Sequence, residues 1–322
     1  MTDSKVTLAD LPTWRRKGKR RWREDDHLYG NDAQEAARLE MEHNLFLMAF
    51  GRNYFAPVTH PQRILDVACG IGLWGLEMLK QFPAAQVSAL DIDPVLFKHF
   101  LTKPRSRPYR SMAAERLTFV QADATKPLPF EDAYFDFTHS RIPDTFLSEE
   151  LWPSFIREMA RVTQPDGWVE LVAAGQMQSE YPSAPIATLL EAEIRLCQAI
   201  HIAPSGGPGL RRYLAEAGIS TFSSRDHRKG KTAKERELLI KDMKHVLAGT
   251  RDLIVKCGIL SAEEFDRCLE QFEPEATRAG FFMVDSRIWF QPKDQQGILP
   301  DAARSCGLAR GQSYSSSRRT GT

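Results

Sequence analysis

Little in the 322 residues announces a specialised class of protein. The five cysteines, Cys69, Cys197, Cys257, Cys268 and Cys306, are odd in number and form no C-x-x-C pair. That excludes a disulfide framework or zinc knuckle and fits free thiols in a reducing compartment. Neither sign of charge dominates: 43 Lys and Arg stand against 42 Asp and Glu, so no global field recruits nucleic acid or an acidic membrane. No stretch reaches the roughly 18 uninterrupted apolar residues of a membrane span, and MTDSKVTLAD has no apolar leader. The expectation is a cytoplasmic protein with no membrane partner. No His, Asp or Glu spacing resembles a ligand set, so no metal is expected, and no internal repeat is visible.

With 42% hydrophobic residues, the chain can bury a full core. Residues 1–28, with Arg15-Arg16-Lys17-Gly18-Lys19-Arg20-Arg21-Trp22-Arg23, read as a disordered basic tail. Residues 29–60 read as a cap: Asp32 and Glu35 resemble a capping box, and Ala37, Met41, Leu45 and Met48 share a helical stripe. From 61 to 175, short β-type runs alternate with helical ones, the pattern of a parallel sheet covered on both faces. The strands expected there are Ile64–Val67, Val87–Asp91, Leu117–Gln121, Phe135–Ser140 and Trp168–Ala173. Residues 176–291 complete the sheet, with a β-like patch near Thr221–Ser224, a last strand Phe281–Phe290 and a helical stretch Lys231–Gly280 expected to lie as a lid over the acceptor. Residues 292–322 are Gly-, Ser- and Arg-rich and read as a second disordered tail.

RILDVACGIGLWGLEML places Gly70, Gly72 and Gly75 in the spacing G-x-G-x-x-G, which by itself is a weak signal. A dinucleotide turn must hold a pyrophosphate, so its strand is normally apolar. Here Asp66 stands four residues before Gly70, where a carboxylate repels a diphosphate and attracts an ammonium group. Asp91 ends the next strand, 21 residues after Gly70, in the place of an acid that accepts from ribose hydroxyls. Asp123 and Ala124 follow the third strand, where a side chain and a backbone N–H can address the edge of an adenine.

ILDVACGIG, LDIDP, QADATKPLPF, FDFTHSR and RVTQPDGWVEL, in that order, resemble the successive motifs of class I S-adenosylmethionine-dependent methyltransferases. The flanking NDAQEAARLEMEHNLFLMAF and GWVEL narrow the likeness to the LaeA-like group. The resemblance covers about residues 28 to 290 and implies a Rossmann-like, doubly wound, mostly parallel seven-stranded sheet with its last strand antiparallel and a helical cap. It implies S-adenosyl-L-methionine as cofactor, with Asp66, Ala68, Gly70 and Gly72 at the methionine end, Asp91 on the ribose, Ile92 on one adenine face, and Asp123 with Ala124 at its edge. Ala68 departs from the family, which usually has glycine there.

Methyl transfer by in-line displacement asks mainly for alignment and a dry pocket. His139, at the carboxyl edge of the fourth strand, is the candidate catalytic base, with a structural or cofactor-contacting role as its alternative. Asp144 is a second candidate base. Arg141 either holds a substrate carboxylate or braces a loop through an acid. Tyr29, Gln176 and Tyr181 complete the expected substrate pocket. The expected partner is a small-molecule acceptor, with secondary metabolism as the expected setting; a regulator acting through protein partners, or a protein or nucleic-acid methyltransferase, are the alternatives. Arg15–Arg23 lies in a tail without an RNA-binding module, which argues against nucleic acid.

Overall fold

A computed structural model describes residues 32–175, 177–181, 183–202 and 206–294. The basic run Arg15–Arg23, Tyr29, Gln176 and most of the expected C-terminal tail lie outside the described residues. Described strands are β1 Arg63–Val67, β2 Gln86–Asp91, β3 Leu117–Gln121, β4 Phe135–Arg141, β5 Thr163–Ala173, β6 Met177–Ser179, β7 Ser223–Lys229 and β8 Phe281–Phe290. They form one sheet in the order β3-β2-β1-β4-β5-β8-β6, with β7 also paired to β8. Neighbours from β3 to β5 are parallel, and β8 is antiparallel to β5, β6 and β7. The doubly wound sheet is therefore the expected one, with an eighth strand added. The three residues of β6 are too few for a readable period, and β7 reaches Lys229 because pairing with β8 overrides its polar sequence SSRDHRK.

The described helices are α1 Ala33–Phe50, α2 Leu73–Gln81, α3 Val95–Thr102, α4 Arg107–Arg116, α5 Trp152–Val162, α6 Ala184–Ala199, α7 Gly206–Glu216, α8 Ala233–Lys256 and α9 Ala262–Arg278. Alternation along β1 sorts the layers: Leu65 and Val67 join the core beneath α5 and α7, whereas Ile64 joins Trp74, Leu76 and Phe97 beneath α2 and α3. The basic KPRSRPYR segment has a structural use, since Arg110 donates to the carbonyls of Leu101, Thr102 and Lys103 and so caps α3. At the other end of the chain, Pro292–Asp294 is a 3₁₀ turn, ordered where the tail was expected to begin.

Ser261 caps α9 as its S-x-x-E pattern predicts, accepting from the Glu264 N–H at 3.1 Å. However, α8 and α9 do not lie free as a lid. With α6 they close a separate core around Leu189, Leu196, Leu239, Leu247, Phe265 and Phe272, and α8 meets the sheet side through α1, β7 and β8. Its contact with α1 corrects the expected apolar stripe. Ala37 and Met48 are exposed, while Glu35, Arg38 and Glu42 are buried beside Leu45. Asp32 caps α1 by accepting from Gln34 and Glu35, but the Glu35 carboxylate turns to Arg38 rather than back to the cap. Arg38 also pairs with Glu42 at 3.3 Å and with Asp242 of α8 at 3.0 Å. Mutual neutralisation is what lets a charged face go inside.

Arg38→Leu should therefore lower the unfolding free energy by about 3–5 kcal/mol, the usual cost of stranding a buried charge. Adding Asp242→Asn should recover part of that loss. Denaturant unfolding of the two single variants and the double variant checks it; simple additivity would mean that this pair does not tie α1 to α8.

Candidate functional site

Between β1 and α2 the chain turns through Ala68, Cys69, Gly70, Ile71 and Gly72. The turn is pinned by Cys69 N–H on the Leu90 carbonyl at 2.9 Å and by Gly72 N–H on the Cys69 carbonyl at 2.8 Å. Ala68, Gly70 and Gly72 take φ of 57°, 55° and 69°, all left-handed. At Gly72 space also demands glycine, because a Cβ would lie 2.5 Å from the Phe97 ring. Over Gly70 sits Leu39 of α1, 3.3 Å from where a Cβ would be, so α1 covers the turn. Ala68 bears a Cβ in this region at roughly 1–2 kcal/mol. A second non-glycine residue, Ile142, has φ 55° directly after β4. Strained residues thus end the adjacent strands β1 and β4, the point where strand order reverses and open α/β sheets bind ligands.

Carboxylates gather at that edge. Asp91 Oδ2 accepts from the Gly70 N–H at 2.7 Å and Oδ1 from the Asp93 N–H at 3.3 Å, which joins the end of β2 to the glycine turn. Asp123 Oδ1 accepts from the Thr125 N–H at 2.8 Å and its hydroxyl at 2.6 Å, shaping the loop after β3. Ala124 is buried behind it, and the Ile92 carbonyl accepts from Gln121 Nε2 at 3.0 Å. Six of the eight expected cofactor residues, Asp66, Ala68, Gly70, Gly72, Asp91 and Ile92, therefore lie on two neighbouring strand ends, and Asp123 and Ala124 follow the third.

Pairing register extends the site along the sheet. Asp66, His139, Glu170 and Trp289 stand opposite one another on β1, β4, β5 and β8, so their side chains share the face under α1 and α2. His139 is fully buried, stacked 3.8 Å from the Trp74 ring, with Nδ1 3.4 Å from Asp66 Oδ1. Burial, then Arg141, Arg287 and His43, hold its pKa well below the ordinary value, so the ring is neutral. In this setting its visible role is to support Asp66. Asp144, the other candidate base, accepts from the Ala174 N–H at 2.7 Å and braces the loop after β5. Glu170 accepts from the N–H groups of Phe55 and Ala56, both at 2.7 Å, and pairs with Arg287 at 3.2 Å.

Two residues further along β4, Arg141 occupies a row with Val172 and Arg287. Against that row α1 packs Phe46 and Phe50, while His43 Nδ1 lies 3.3 Å from Arg141. Lys229 and Asp285, paired at 2.8 Å, complete the buried polar group. Glu170, Lys229, Asp285 and Arg287 were not singled out in the sequence, although each is a charge inside a strand, and Glu170 and Arg287 interrupt apolar runs. Tyr181, by contrast, is 74% exposed beside the end of α9, where its N–H bonds to the Ala279 carbonyl, so it is not gathered with Arg141.

Residues 64–167 match the methyltransferase domain family. These residues thus carry a methyltransferase domain of the S-adenosylmethionine-dependent class, and the chain is similar to LaeA-like proteins. It is 28% identical over 203 residues to the methyltransferase pytC of Aspergillus terreus, covering 61% of this chain and 58% of that one. To the methyltransferase str2 of Strobilurus tenacellus it is 29% identical over 43% of this chain and 45% of the other, and to the secondary metabolism regulator laeA of Aspergillus fumigatus 26% over 44% and 35%. The chain therefore spans less than two thirds of the curated relatives it matches. A protein from an antibiotic biosynthesis pathway of Anabaena variabilis shares the fold, with TM-score 0.50 at 14% identity over 78% of this chain and 96% of that one. Among the described residues, no helix is long and apolar enough to cross a membrane.

Burial pushes the Asp66 carboxyl up to about 7, against the pull of Arg141 and with a further push from Asp91. An acid raised by folding is protonated in both states below its ordinary value of 3.8, and bears its full penalty once pH exceeds the folded value. Its contribution to stability consequently falls as pH climbs between those limits. Asp66→Asn should melt at a higher temperature than the parent at pH 8, with the gap narrowing toward pH 5. Melting curves across that range check this, and a gap independent of pH would contradict it.

Proposed function

We propose that this protein transfers a methyl group from S-adenosylmethionine to a small organic acceptor, in secondary metabolism. The observation that carries the reading is the carboxylate edge at the ends of β1, β2 and β3 around the left-handed glycine turn, with Leu39 of α1 over it. The names of pytC and str2 as methyltransferases and of laeA as a secondary metabolism regulator support it. The donor set fits this cofactor. Asp66, Asp91 and Asp123 suit a molecule with a ribose diol and a cationic amino-acid end, and would repel the diphosphate of a dinucleotide.

When bound, S-adenosylmethionine supplies a methyl group already activated by a sulfonium centre. The remaining work belongs to the chain. Asp91 accepts from ribose hydroxyls and, through the Gly70 N–H, sets the turn that receives the methionine end. Asp66 attracts the amino group, and its raised pKa returns toward the ordinary range as that cation arrives. Ile92, Asp123 and Ala124 border the adenine. Leu39, Phe46 and Phe50 of α1 keep water from the line of transfer. Neutral His139 fixes Asp66 from behind, stacked on Trp74, and no strong base is required where the acceptor presents its own lone pair.

Asp91→Ala should keep the fold and lose the cofactor. Hydrogen bonds from hydroxyls to a charged acceptor contribute about 1.5–3 kcal/mol each, so affinity for S-adenosylhomocysteine should drop by about 100-fold or more. Calorimetry measures the affinity and far-ultraviolet circular dichroism the fold; a folded variant with parental affinity would sink the proposal. Incubation with labelled S-adenosylmethionine and a metabolite extract should then yield a labelled small product.

A further inference from the structure

Arg141 is a cation with an unusual lack of company. Its guanidinium lies 3.3 Å from His43 Nδ1 and 4.7 Å over the Phe46 ring, but forms no ion pair with a carboxylate among the described residues. Arg287, across Val172 in the same row, is 1% exposed and pairs with Glu170 Oε1, yet its Nε and Nη1 have no aligned hydrogen-bond acceptor. Its guanidinium lies 4.5 Å from the Phe50 ring centre and 4.8 Å from that of Phe55. None of the nearby carboxylates pairs with Arg141: Glu170 is committed to the Phe55 and Ala56 N–H groups, Asp285 to Lys229 and the Gly175 N–H, and Glu42 to Arg38, while Asp66, which acts on Arg141 electrostatically, lies beside His139 Nδ1. The Nε2 atoms of His43 and His227 are also buried without partners.

Two guanidiniums in one row, neither matched by a well-aligned acid and one with buried donors left over, are costly unless an oxyanion completes them. Phe46 and Phe50 stack on each other at 5.2 Å beside these donors, with Arg141 and Lys229 over the Phe46 ring and Arg287 over that of Phe50. We propose that the acceptor is an acidic molecule whose carboxylate is held by Arg141 and Arg287. This deepens the methyltransferase reading above and rests on it. The sequence left Arg141 between a substrate carboxylate and a loop brace; the missing acid partner favours the first.

The test uses the full chain saturated with S-adenosylhomocysteine and titrated with trans-cinnamate or with trans-cinnamamide, its neutral match in shape. The acid should bind about tenfold or more tighter than the amide, and Arg141→Met should erase that preference. S-adenosylhomocysteine affinity of Arg141→Met should stay within about threefold of the parent. Without any ligand, its melting temperature should equal or exceed the parental one, since a half-buried cation without an acid partner is removed. Arg287→Met serves as a second variant for the preference. Equal binding of acid and amide, failure of the acid to bind, or a preference that survives Arg141→Met would overturn the proposal. A loss of melting temperature would make Arg141 a structural brace. A collapse of S-adenosylhomocysteine affinity would assign the guanidinium to the cofactor's own carboxylate, and either result also overturns it. If the parent itself fails to bind S-adenosylhomocysteine, the methyltransferase reading falls first, and the titration shows this before any acid is added.

Discussion

The 2.7 Å hydrogen bond from the Gly70 N–H to the Asp91 carboxylate joins the two strand ends on which the site is built. It sets the glycine turn after β1 against the tip of β2, with the Asp91 carboxylate where a ribose diol would be received. With Asp66 one residue before the end of β1 and Asp123 just past β3, this edge presents carboxylates on successive strands. The same turn geometry that elsewhere cradles a pyrophosphate is thereby committed to a cationic, phosphate-free ligand. Leu39 then lies over Gly70, so the position of α1 depends on that turn.

From α1 outward, the structure buries charge. Arg38 is neutralised by three carboxylates on two helices, Lys229 by Asp285, and Arg287 by Glu170. Apolar residues of similar volume would hold the same elements together at lower desolvation cost. Such an arrangement makes sense where a polar ligand must be enclosed, and it lies under α1 rather than under α9. The helical unit of α6, α8 and α9 instead has its own apolar core and meets α1 through α8, with Asp242 as the grip. The helix that covers the glycine turn is thus itself held by another.

Much of this was legible in the sequence. The parallel strands alternate cleanly with amphipathic helices, and the spacing of Asp66, Gly70, Asp91 and Asp123 follows from the reach of one strand end to the next. The α1 stripe departs from expectation because hydrophobic periodicity assumes that charge faces water; the burial of Arg38 is offset by Glu35 and Glu42 of its own helix and by Asp242, 204 residues away in the chain, which no local window can see. β7 was drawn too short for a similar reason, since SSRDHRK becomes a strand only through β8. His139 was placed at the correct edge, but its burial under Trp74 depends on how α2 crosses the sheet. Arg287, Asp285 and Glu170 left a readable trace, as charges within strand patterns, though only the register shows that Arg287 and Arg141 stand in one row.

The selectivity of the carboxylate edge is open to direct measurement on the unaltered protein. Titrating it in parallel with S-adenosylhomocysteine and with NADH, at low salt where repulsion is least screened, compares the two ligands that the same glycine turn could serve. Saturable binding of S-adenosylhomocysteine with no detectable binding of NADH is the expected result; saturable NADH binding without S-adenosylhomocysteine binding would contradict it and return the turn to the dinucleotide class.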